Sequence, residues 1–333
     1  MRQPLPVTMK LGRYVARQKM MRKKRFPMVL MLEPTLKCNL SCTGCGKVRQ
    51  DAEMMSRMMT VQECLDAVDE CGAPAVSIAG GEPLVHPDID QIVDGILAKG
   101  KLVLFCTNGI LIERAFKKFK PHPFFTFVFH LDGMKELHDK MVERTGVFDL
   151  CLNGIKKAKE LGYRVASNTT IYKNTNPDEI AQLFRMLTGI GVDGIITAPA
   201  FGYDEVGPAN DIFPTREQAI AKFSVIHQKA GADIRYWNSP LFIDFLRGMR
   251  TYDCTPWGNP NRDPNGWKGP CYLLTDARYK TFAELMEKTP WQDYGYGKNP
   301  RCAKCMMHCG YEATTINEAS PLDMWRMLRW SFS

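Results

Sequence analysis

The sequence predicts an α/β fold, a partial (β/α)6 TIM-type barrel followed by a cysteine-rich C-terminal extension. Six short apolar runs alternate with helix-like segments through the first 230 residues, and the connections between them are short. This alternation indicates a parallel sheet, and six units are enough to curve it into a partial barrel. A separate group of five cysteines after residue 250 indicates the extension.

Each unit pairs a strand-like run with a helix-like segment. The predicted strands are MVLMLE (28–33), AVSIAG (75–80), KLVLFC (101–106), FFTFVFHL (124–131), YRVASNTTI (163–171) and DGIITA (193–198). The predicted helices lie at 60–72, 88–98, 110–118, 148–161, 177–190 and 215–230. Thr60 and Glu63 form a capping-box pattern at the start of the first helix. Phe125, Phe127 and Phe129 share one face of the fourth strand and are expected in the core.

Composition and charge divide the chain into three regions. We predict a basic amphipathic N-terminal arm (1–26), the barrel (27–230) and the cysteine-rich extension (231–333). With 333 residues, 45% of them hydrophobic, the chain is long enough to bury a large core. The net charge of +8 belongs to the arm, because nine Lys or Arg residues lie between Arg2 and Arg25 and no acidic residue precedes Glu33.

The cysteines indicate the compartment and a metal. The sequence shows no secretory signal, and no run approaches the ~20 apolar residues that cross a bilayer, so we expect a cytoplasmic protein. Thiols there stay reduced, so clustered cysteines suggest metal ligands and isolated ones suggest core packing. Cys64 and Cys71 share one helical face and are expected in the core.

Three cysteines, Cys38, Cys42 and Cys45, follow the first predicted strand directly. Barrel enzymes carry their chemistry at the C-terminal ends of strands. An iron-sulfur cube normally takes four cysteine thiolates, so three leave one iron open, as a catalytic zinc keeps one position open. The spacing predicts a [4Fe-4S] cluster with one open iron that binds a reactant. A zinc knuckle with a distant fourth ligand is the alternative.

Four motifs at the ends of successive strands resemble the radical S-adenosylmethionine (SAM) superfamily. They are the CxxxCxxC cysteines, GGEP (80–83), TNG (107–109) and LDG (131–133). The resemblance implies that SAM binds the open iron and is cleaved to methionine and a 5′-deoxyadenosyl radical. It also implies SAM contacts from the loops after the second and third strands, with Glu82 accepting from the methionine amino group. These residues are Gly80, Gly81, Glu82, Pro83, Thr107 and Asn108.

The chain departs from the superfamily pattern at two positions. Gly44 stands where an aromatic residue usually precedes the third cysteine, and His130 stands where many relatives carry Ser. For His130 two interpretations stay open: a buried neutral histidine satisfied by hydrogen bonds, or a catalytic role near SAM or substrate. Asn168 and Thr169 are expected to contact SAM by their position at the end of the fifth strand.

The extension carries a second cysteine group. Its members are Cys254, Cys271, Cys302, Cys305 and Cys309. They resemble the cysteine-rich tails of radical SAM enzymes that house an auxiliary iron-sulfur cluster. Four thiolates also suit zinc, and His308 keeps that alternative open.

Longer segments resemble the radical SAM enzymes of hopanoid biosynthesis, the adenosylhopane synthases. They include RFPMVLMLEPTLKCNLSCTGCGK, AVSIAGGEPLVHPDI, HLDGMKELHD, CTPWGNPN, GPCYLL and NPRCAKCMMHCGYEAT, which together run from about residue 25 to 315. This resemblance implies addition of the 5′-deoxyadenosyl radical to the alkene of diploptene, a C30 polyprenoid hydrocarbon, to give adenosylhopane. A flavodoxin or ferredoxin is the expected electron donor, and no nucleic-acid partner is expected.

Both ends of the chain favour contact with lipid. The basic arm carries Met9, Leu11 and Val15 among its positive charges, and the segment PLDMWRMLRWSFS mixes Trp325 and Trp330 with arginines, as interfacial helices do. We therefore expect peripheral binding to an anionic membrane surface at the inner face of the cell membrane. A solvated basic tail is the alternative.

Cys106 ends the third predicted strand directly before the TNG motif. Radical addition to the CH2 end of an alkene leaves a tertiary carbon radical, which must gain a hydrogen atom, and a thiol is a good donor. We hypothesise that Cys106 faces the lumen and supplies that atom, with core packing as the alternative. Two other functions stay open: a peptide-modifying radical SAM maturase with an auxiliary cluster, and a non-catalytic iron-sulfur scaffold or redox sensor.

Overall fold

The computed structural model describes residues 4–202, 206 and 211–332. Arg2 and the side chain of Phe332 lie outside the described part. One sheet of nine strands has the order β6-β5-β4-β3-β2-β1-β7-β8-β9. The first six strands pair in parallel with their neighbours, so the predicted α/β partial barrel is confirmed.

The element boundaries lie within two residues of the predicted ones in the barrel. The strands are Val29–Leu32 (β1), Ala75–Ile78 (β2), Leu102–Thr107 (β3), Phe125–His130 (β4), Arg164–Ile171 (β5), Gly194–Pro199 (β6), Asn261–Asp263 (β7), Gly266–Pro270 (β8) and Thr275–Tyr279 (β9). The helices are Leu5–Met20 (α1), Ala52–Ser56 (α2), Val61–Cys71 (α3), Ile89–Ala98 (α4), Ile112–Lys118 (α5), Lys135–Met141 (α6), Val147–Glu160 (α7), Pro177–Ile190 (α8), Arg216–Ala230 (α9), Pro240–Leu246 (α10), Phe282–Lys288 (α11), His308–Asn317 (α12) and Pro321–Phe332 (α13).

The outward face of the barrel sheet packs against the helices. Phe125, Phe127 and Phe129 are buried there, and Phe105 of β3 joins them with its ring centroid 5.8 Å from that of Phe127. Their predicted core position is confirmed. Cys64 and Cys71 are likewise buried in the core, on the inner face of α3. The capping box of α3 is present, with Thr60 accepting from the Glu63 amide.

The extension joins the barrel sheet rather than standing apart from it. Strand β7 pairs in parallel with β1, with Met31 opposite Asn261 and Leu32 opposite Arg262. Strands β8 and β9 then continue the sheet as antiparallel neighbours. Sequence patterns missed these three strands, because NRD and GWKGP show no alternation of apolar and polar residues.

The N-terminal arm is a helix that packs across the strand starts. Val7 and Val15 of α1 are buried, and Val7 packs with Ala75 and Leu102 at the N-terminal ends of β2 and β3. Of the helices described, none has the length and apolar character that a bilayer-spanning segment requires.

Candidate active site

One cavity of about 700 Å³ occupies the barrel lumen. Its size lies within the range of roughly 300–1,000 Å³ typical of small-molecule sites. Ser77 of β2 and Val128 of β4 line it, whereas their sequence neighbours do not, as expected when successive strand residues point to opposite faces. Cys38, Cys42 and Cys45 line the same cavity at the C-terminal ends of the strands.

The three cysteines of the first cluster lie close together. Burial raises the pKa of Cys38 to about 11, with further contributions from the charges of Glu82 and Cys45. Burial and the charges of Cys45 and Asp132 raise the pKa of Cys42 well above its usual value. Cys38 and Cys42 therefore hold their protons at neutral pH, and metal binding must release these protons as metal–sulfur bonds form.

A buried ion pair holds the cysteine loop against the sheet. Lys47 Nζ, two residues after Cys45, lies 2.9 Å from Glu33 Oε2 at the end of β1. Asn261 Nδ2 of β7 donates to the same oxygen at 3.1 Å. The Lys47 ammonium also lies 4.2 Å from the ring centroid of Tyr272. Because these partners come from the barrel and the extension, both fix the position of the cluster loop.

The GGEP loop packs directly on the chain that leads to Cys38. Gly81 N donates to Thr35 O at 3.0 Å, and Glu82 N donates to Lys37 O at 2.9 Å. A Cβ on Gly81 would stand 2.0 Å from Lys37 O, so this close approach requires glycine. Gly80 has a φ of +101°, and a Cβ on it would stand 2.4 Å from Thr35 O, so this position also requires glycine. Both glycines line the cavity, whereas Glu82 and Pro83 do not.

The Glu82 carboxylate is buried beneath the TNG loop. Its Oε1 accepts from Thr107 Oγ1 at 3.0 Å and from Leu84 N at 3.2 Å, and its Oε2 accepts from Asn108 N at 2.8 Å. Burial raises its pKa to about 7 in spite of these three donors. A carboxylate oxygen has two lone pairs, so Oε2 keeps acceptor capacity beyond the Asn108 bond. The Glu82 carboxylate therefore holds the TNG loop in place, a role that the sequence did not indicate.

Asn108 connects this loop to the first cysteine. Its Nδ2 lies 2.7 Å from Asn39 Oδ1 and 3.8 Å from Cys38 Sγ. Thr107 and Asn108 both line the cavity. Asn39 was missed, because nothing in its spacing separates it from the other polar residues of the loop.

His130 pairs with Asp132 of the LDG motif, a contact that the sequence did not indicate. His130 Nε2 lies 2.7 Å from Asp132 Oδ2, and Asp132 Oδ1 accepts from Thr170 N at 2.9 Å. Burial lowers the pKa of His130, but the charge and hydrogen bond of Asp132 outweigh that effect and raise it overall. His130 lines the cavity, so its imidazole faces the lumen while it is paired with Asp132.

The end of β5 differs from the predicted contacts. Asn168 lines the cavity, and so does Thr170, but Thr169 does not. Successive strand residues point to opposite faces, so Thr169 is directed away from the lumen and is fully buried. This corrects the expected contact of Thr169 with SAM.

Cys106 lines the cavity near the C-terminal end of β3. Its Sγ lies 3.6 Å from Ser77 Oγ on β2. Burial raises its pKa to about 11, with Ser77 acting in the opposite direction, so Cys106 is a neutral thiol at pH 7. Cys151, by contrast, is buried outside the cavity with its Sγ 3.1 Å from Asn108 O.

The five cysteines of the extension converge. Burial raises the pKa of Cys254 well above its usual value, and the neighbouring charges that add to this come from Cys305, Cys271, Cys309 and Cys302. Cys309 lines the barrel cavity, as does His308. The Nδ1 atom of His308 has no hydrogen-bond partner among the described residues, and burial lowers the pKa of His308 to about 4.

Neither cysteine group has the spacing of ligands around one metal ion. Among the described residues, no group of three or more His, Cys, Asp or Glu is arranged in that way. A single zinc draws thiolates to about 2.3 Å from the metal. An iron-sulfur cube holds its thiolates at separate corners, so it suits more widely spaced sulfurs.

The barrel and its three-cysteine loop define an α/β protein with clustered thiols at the C-terminal ends of parallel strands. Residues 32–187 match the family model described as "Radical SAM superfamily", and residues 195–327 match "Domain of unknown function (DUF3463)". The chain therefore carries a radical SAM domain.

Three curated proteins are similar to part of this chain. The chain is 30% identical over 162 residues to the Fe-coproporphyrin III synthase of Methanosarcina barkeri, covering 48% of this chain and 40% of that protein. It is 34% identical over 163 residues to the GTP 3′,8-cyclase of Clostridium perfringens (47% and 50%). It is 26% identical over 196 residues to the mycofactocin maturase MftC of Mycolicibacterium smegmatis (58% and 50%). The chain thus aligns with about half or less of each relative's length.

Solved structures share the fold over nearly the whole chain. Streptococcus suis SuiB bound to S-adenosylmethionine aligns with a TM-score of 0.64 at 17% identity, covering 93% of this chain and 79% of that one. The protein anSMEcpe with bound AdoMet and a peptide aligns with a TM-score of 0.59 at 16% identity, covering 92% and 97%. At these identities the likeness establishes the fold alone.

The residues present fit the cofactors that the superfamily uses. Cys38, Cys42 and Cys45 supply three thiolate ligands on one wall of the cavity. Gly80, Gly81, Asn108 and Asn168 place close-approach backbone and amide groups on the walls beside them. The radical SAM domain thus implies a [4Fe-4S] cluster with SAM at its open iron.

Proposed function

We propose that this protein is a radical SAM adenosyltransferase that joins the 5′-deoxyadenosyl group of SAM to the alkene of diploptene, giving adenosylhopane. The observation that carries the proposal is one lumen that holds the three-cysteine site at one end, the neutral thiol of Cys106 near the same end, and mostly apolar side chains elsewhere. The motifs that resemble adenosylhopane synthases, which extend into the cysteine-rich tail, also support it.

When bound, the cluster supplies the electron that splits SAM into methionine and the 5′-deoxyadenosyl radical. The chain's own residues hold and orient the reactants. Gly80 and Gly81 let backbone approach SAM closely, and Asn108 and Asn168 offer amide donors from two other walls. Lumen residues such as Met31, Leu104 and Val128 bury the hydrocarbon and exclude water.

Cys106 completes the reaction in this proposal. Coupling breaks the π bond of the alkene, forms one C–C bond and leaves an unpaired electron on the tertiary carbon. Transfer of the Cys106 S–H hydrogen atom saturates that carbon and leaves a thiyl radical. One further electron from a flavodoxin- or ferredoxin-type donor, with one proton, restores the thiol. Because the pKa of Cys106 is raised to about 11, the hydrogen is present at neutral pH.

In the same proposal the extension houses a second iron-sulfur cluster. The mutual proximity of its five cysteines and the position of Cys309 on the cavity wall support it. One of the five thiols would then remain free of the cube.

A peptide-modifying maturase is the second candidate. It is favoured by the converging tail cysteines and by the fold shared with SuiB, one of whose structures carries the precursor peptide SuiA. A redox sensor is the third, and the ordered GGEP and TNG loops beside the cysteines disfavour it, since a sensor needs no SAM site.

One experiment separates the three. Anaerobically reconstituted protein is mixed with dithionite and SAM, with and without diploptene, and the products are analysed by mass spectrometry. The proposed transferase yields a covalent adenosyl lipid. A maturase yields 5′-deoxyadenosine without coupling, and a sensor leaves SAM intact. Either of the last two results refutes the proposal.

A further inference from the structure

The cavity extends through the whole barrel. Besides the cysteine loop, residues at the N-terminal ends of four strands line it. They are Val29, Ala75, Leu102 and Arg164, joined by Phe124 just before β4. The lumen therefore has a second end, opposite the cysteines, which we call the basal end.

The exposed residues of the cavity wall lie at the basal end. Most described residues that line the cavity are buried or half-buried, and the exposed ones are confined to two helices. They are Gly12, Ala16 and Lys19 of α1 together with Met324 and Leu328 of α13. These five residues define the basal mouth. Lys19 also donates to Ile316 O at 3.3 Å, which ties α1 to the C-terminal extension beside the mouth.

Both helices present apolar side chains to solvent around this mouth. On α1 an exposed stripe runs along one face at helical spacing. It comprises Leu5, Met9, Gly12, Ala16 and Met20. On α13, Leu322 and Trp325 are more than half exposed, at 73% and 54%. Apolar exposure of this kind on adjoining elements marks an interaction site rather than an ordinary surface.

Basic groups flank the apolar stripe. Arg13 and the run Arg22 to Arg25 are exposed. A pocket of about 410 Å³ lies on the far side of α1, and its lining includes four cations and no acidic residue. The cations are Lys10, Arg17, Lys23 and Lys101. Positive charge beside an apolar stripe is complementary to an anionic bilayer, where phosphates overlie acyl chains.

We propose that α1 and α13 seat the basal mouth on an anionic phospholipid bilayer, and that the hydrocarbon substrate passes from the bilayer through this mouth into the lumen, alkene end first. This inference rests on the proposed function for the identity of the substrate. The route brings the alkene to Cys106 and the three-cysteine site from the end opposite SAM. The substrate then never leaves an apolar environment between membrane and lumen.

Vesicle sedimentation tests the seating. We expect the protein to bind phosphatidylglycerol vesicles and to bind phosphatidylcholine vesicles much more weakly. The double variant Arg13→Gln with Arg17→Gln should weaken binding to the anionic vesicles by about tenfold or more. The matched control, Lys117→Gln with Lys156→Gln on α5 and α7, removes two exposed lysines away from the cavity lining and should bind as wild type. Equal binding to both lipids, or equal weakening in the control, overturns the seating.

A glycine pair tests the route. Gly12 on α1 and Gly189 on α8 are both exposed helical glycines with no atom within 4 Å of an added Cβ, but only Gly12 lines the mouth. The probe is diphenylhexatriene, a rod-shaped hydrocarbon, transferred from phosphatidylglycerol vesicles and detected by energy transfer from the lumen tryptophans Trp237 and Trp330. Gly12→Phe should slow uptake by about tenfold, and Gly189→Phe should not change it.

Uptake is measured without SAM or reductant, so its outcome is independent of the chemistry. If wild type takes up no probe, or if Gly12→Phe takes it up as fast as wild type, the route is refuted. If uptake behaves as expected and no adenosyl lipid forms in the product assay, the proposed reaction fails while the route stands.

Discussion

Tyr172 fills the space beside Gly44. Its Cε1 atom lies 3.1 Å, and its hydroxyl oxygen 3.4 Å, from the point where a Cβ on Gly44 would stand. The Tyr172 hydroxyl also donates to Asp132 Oδ2 at 3.4 Å. The aromatic ring on this wall of the lumen thus comes from the end of β5. The radical SAM pattern usually has an aromatic residue in the cysteine loop instead, directly before the third cysteine. The glycine and the tyrosine form a matched pair.

This pairing predicts compensation between the two positions. Gly44→Phe alone should clash with Tyr172 and lower the free energy of unfolding by about 1–3 kcal/mol, the usual range for overpacking. Combining it with Tyr172→Ala should recover at least half of that loss. Thermal unfolding of the reconstituted protein measures both effects. A double variant no more stable than Gly44→Phe would contradict the pairing.

The first three cysteines should be required for cluster and SAM binding together. Replacing Cys38, Cys42 or Cys45 with Ala should remove about four iron atoms per chain, together with the change that SAM makes to the electron paramagnetic resonance spectrum of the reduced protein. Cys64→Ala is the control, since Cys64 is buried in α3 away from the cavity. A Cys42→Ala protein that keeps full iron and the SAM-dependent change would refute the assignment.

The extension should bind iron independently. Wild type should contain about eight iron and eight sulfide per chain. Cys254→Ala or Cys305→Ala should lower each by about four and leave the SAM-dependent spectral change in place. Cys71→Ala, a core cysteine, should lower neither. About four iron in wild type, or zinc in stoichiometric amount, would exclude the second cluster.

Cys106 should deliver a solvent-exchangeable hydrogen. In D2O the wild-type enzyme should place deuterium at the new stereocentre, because a thiol exchanges with solvent before it reacts. Cys106→Ala should lower the rate of adenosyl-lipid formation at least about tenfold, which corresponds to about 1.4 kcal/mol of activation free energy. Alternatively, the variant should give a product of mixed stereochemistry at the new stereocentre. Cys151→Ala should match wild type, since Cys151 lies outside the cavity. Unchanged rate, isotope content and stereochemistry in Cys106→Ala would refute this role.

His138 should make the fold sensitive to acid. The Asp132 amide donates to His138 Nδ1 at 3.2 Å, and burial lowers the pKa of His138 to about 4. Its stabilising contribution is fully present above the usual histidine pKa near 6.5 and is lost as the pH falls toward 4, because the unfolded chain takes up the proton first. The total loss should approach about 3 kcal/mol.

A conservative variant isolates this effect. His138→Asn keeps an acceptor for the Asp132 amide but does not titrate, so its stability should fall less than that of wild type between pH 7.5 and 5.5. The expected difference is about 1 kcal/mol, within the limit of 1.4 kcal/mol for each pH unit below the unfolded pKa. Denaturant unfolding at the two pH values measures it. Parallel pH dependence in both proteins would show that other groups control acid sensitivity.

The barrel was predictable because its strands are buried on both faces. Such strands are continuous apolar runs, so AVSIAG and KLVLFC stand out from the helices between them. The position of the three cysteines and of the GGEP glycines at the cavity was predictable from their residue types. Clustered reduced cysteines favour metal binding, and paired glycines after a strand favour close backbone approach. The strands of the extension were not, because β7 is a polar triplet whose pairing with β1 depends on the tertiary fold.

The supporting polar residues of the site were the least predictable part. Lys47 and Asn39 are ordinary in sequence, and only the folded chain brings them to Glu33 and Asn108. Asp132 belongs to the LDG motif, but its pairing with His130 also appears only in the fold. The prediction that Thr169 contacts SAM was wrong for a different reason. A shift of one residue in the register of β5 exchanges the inward and outward sets, and the run YRVASNTTI has polar residues on both.

The parallel pairing of β7 with β1 has a consequence for dissecting this protein. Cutting the chain after Ala230 would strip β1 of its neighbour and leave unpaired backbone donors and acceptors along the edge of the sheet. Bare edges of this kind recruit strands from other molecules, so the isolated N-terminal piece should precipitate or self-associate. The end of α9 is therefore a poor place to divide the gene for expression.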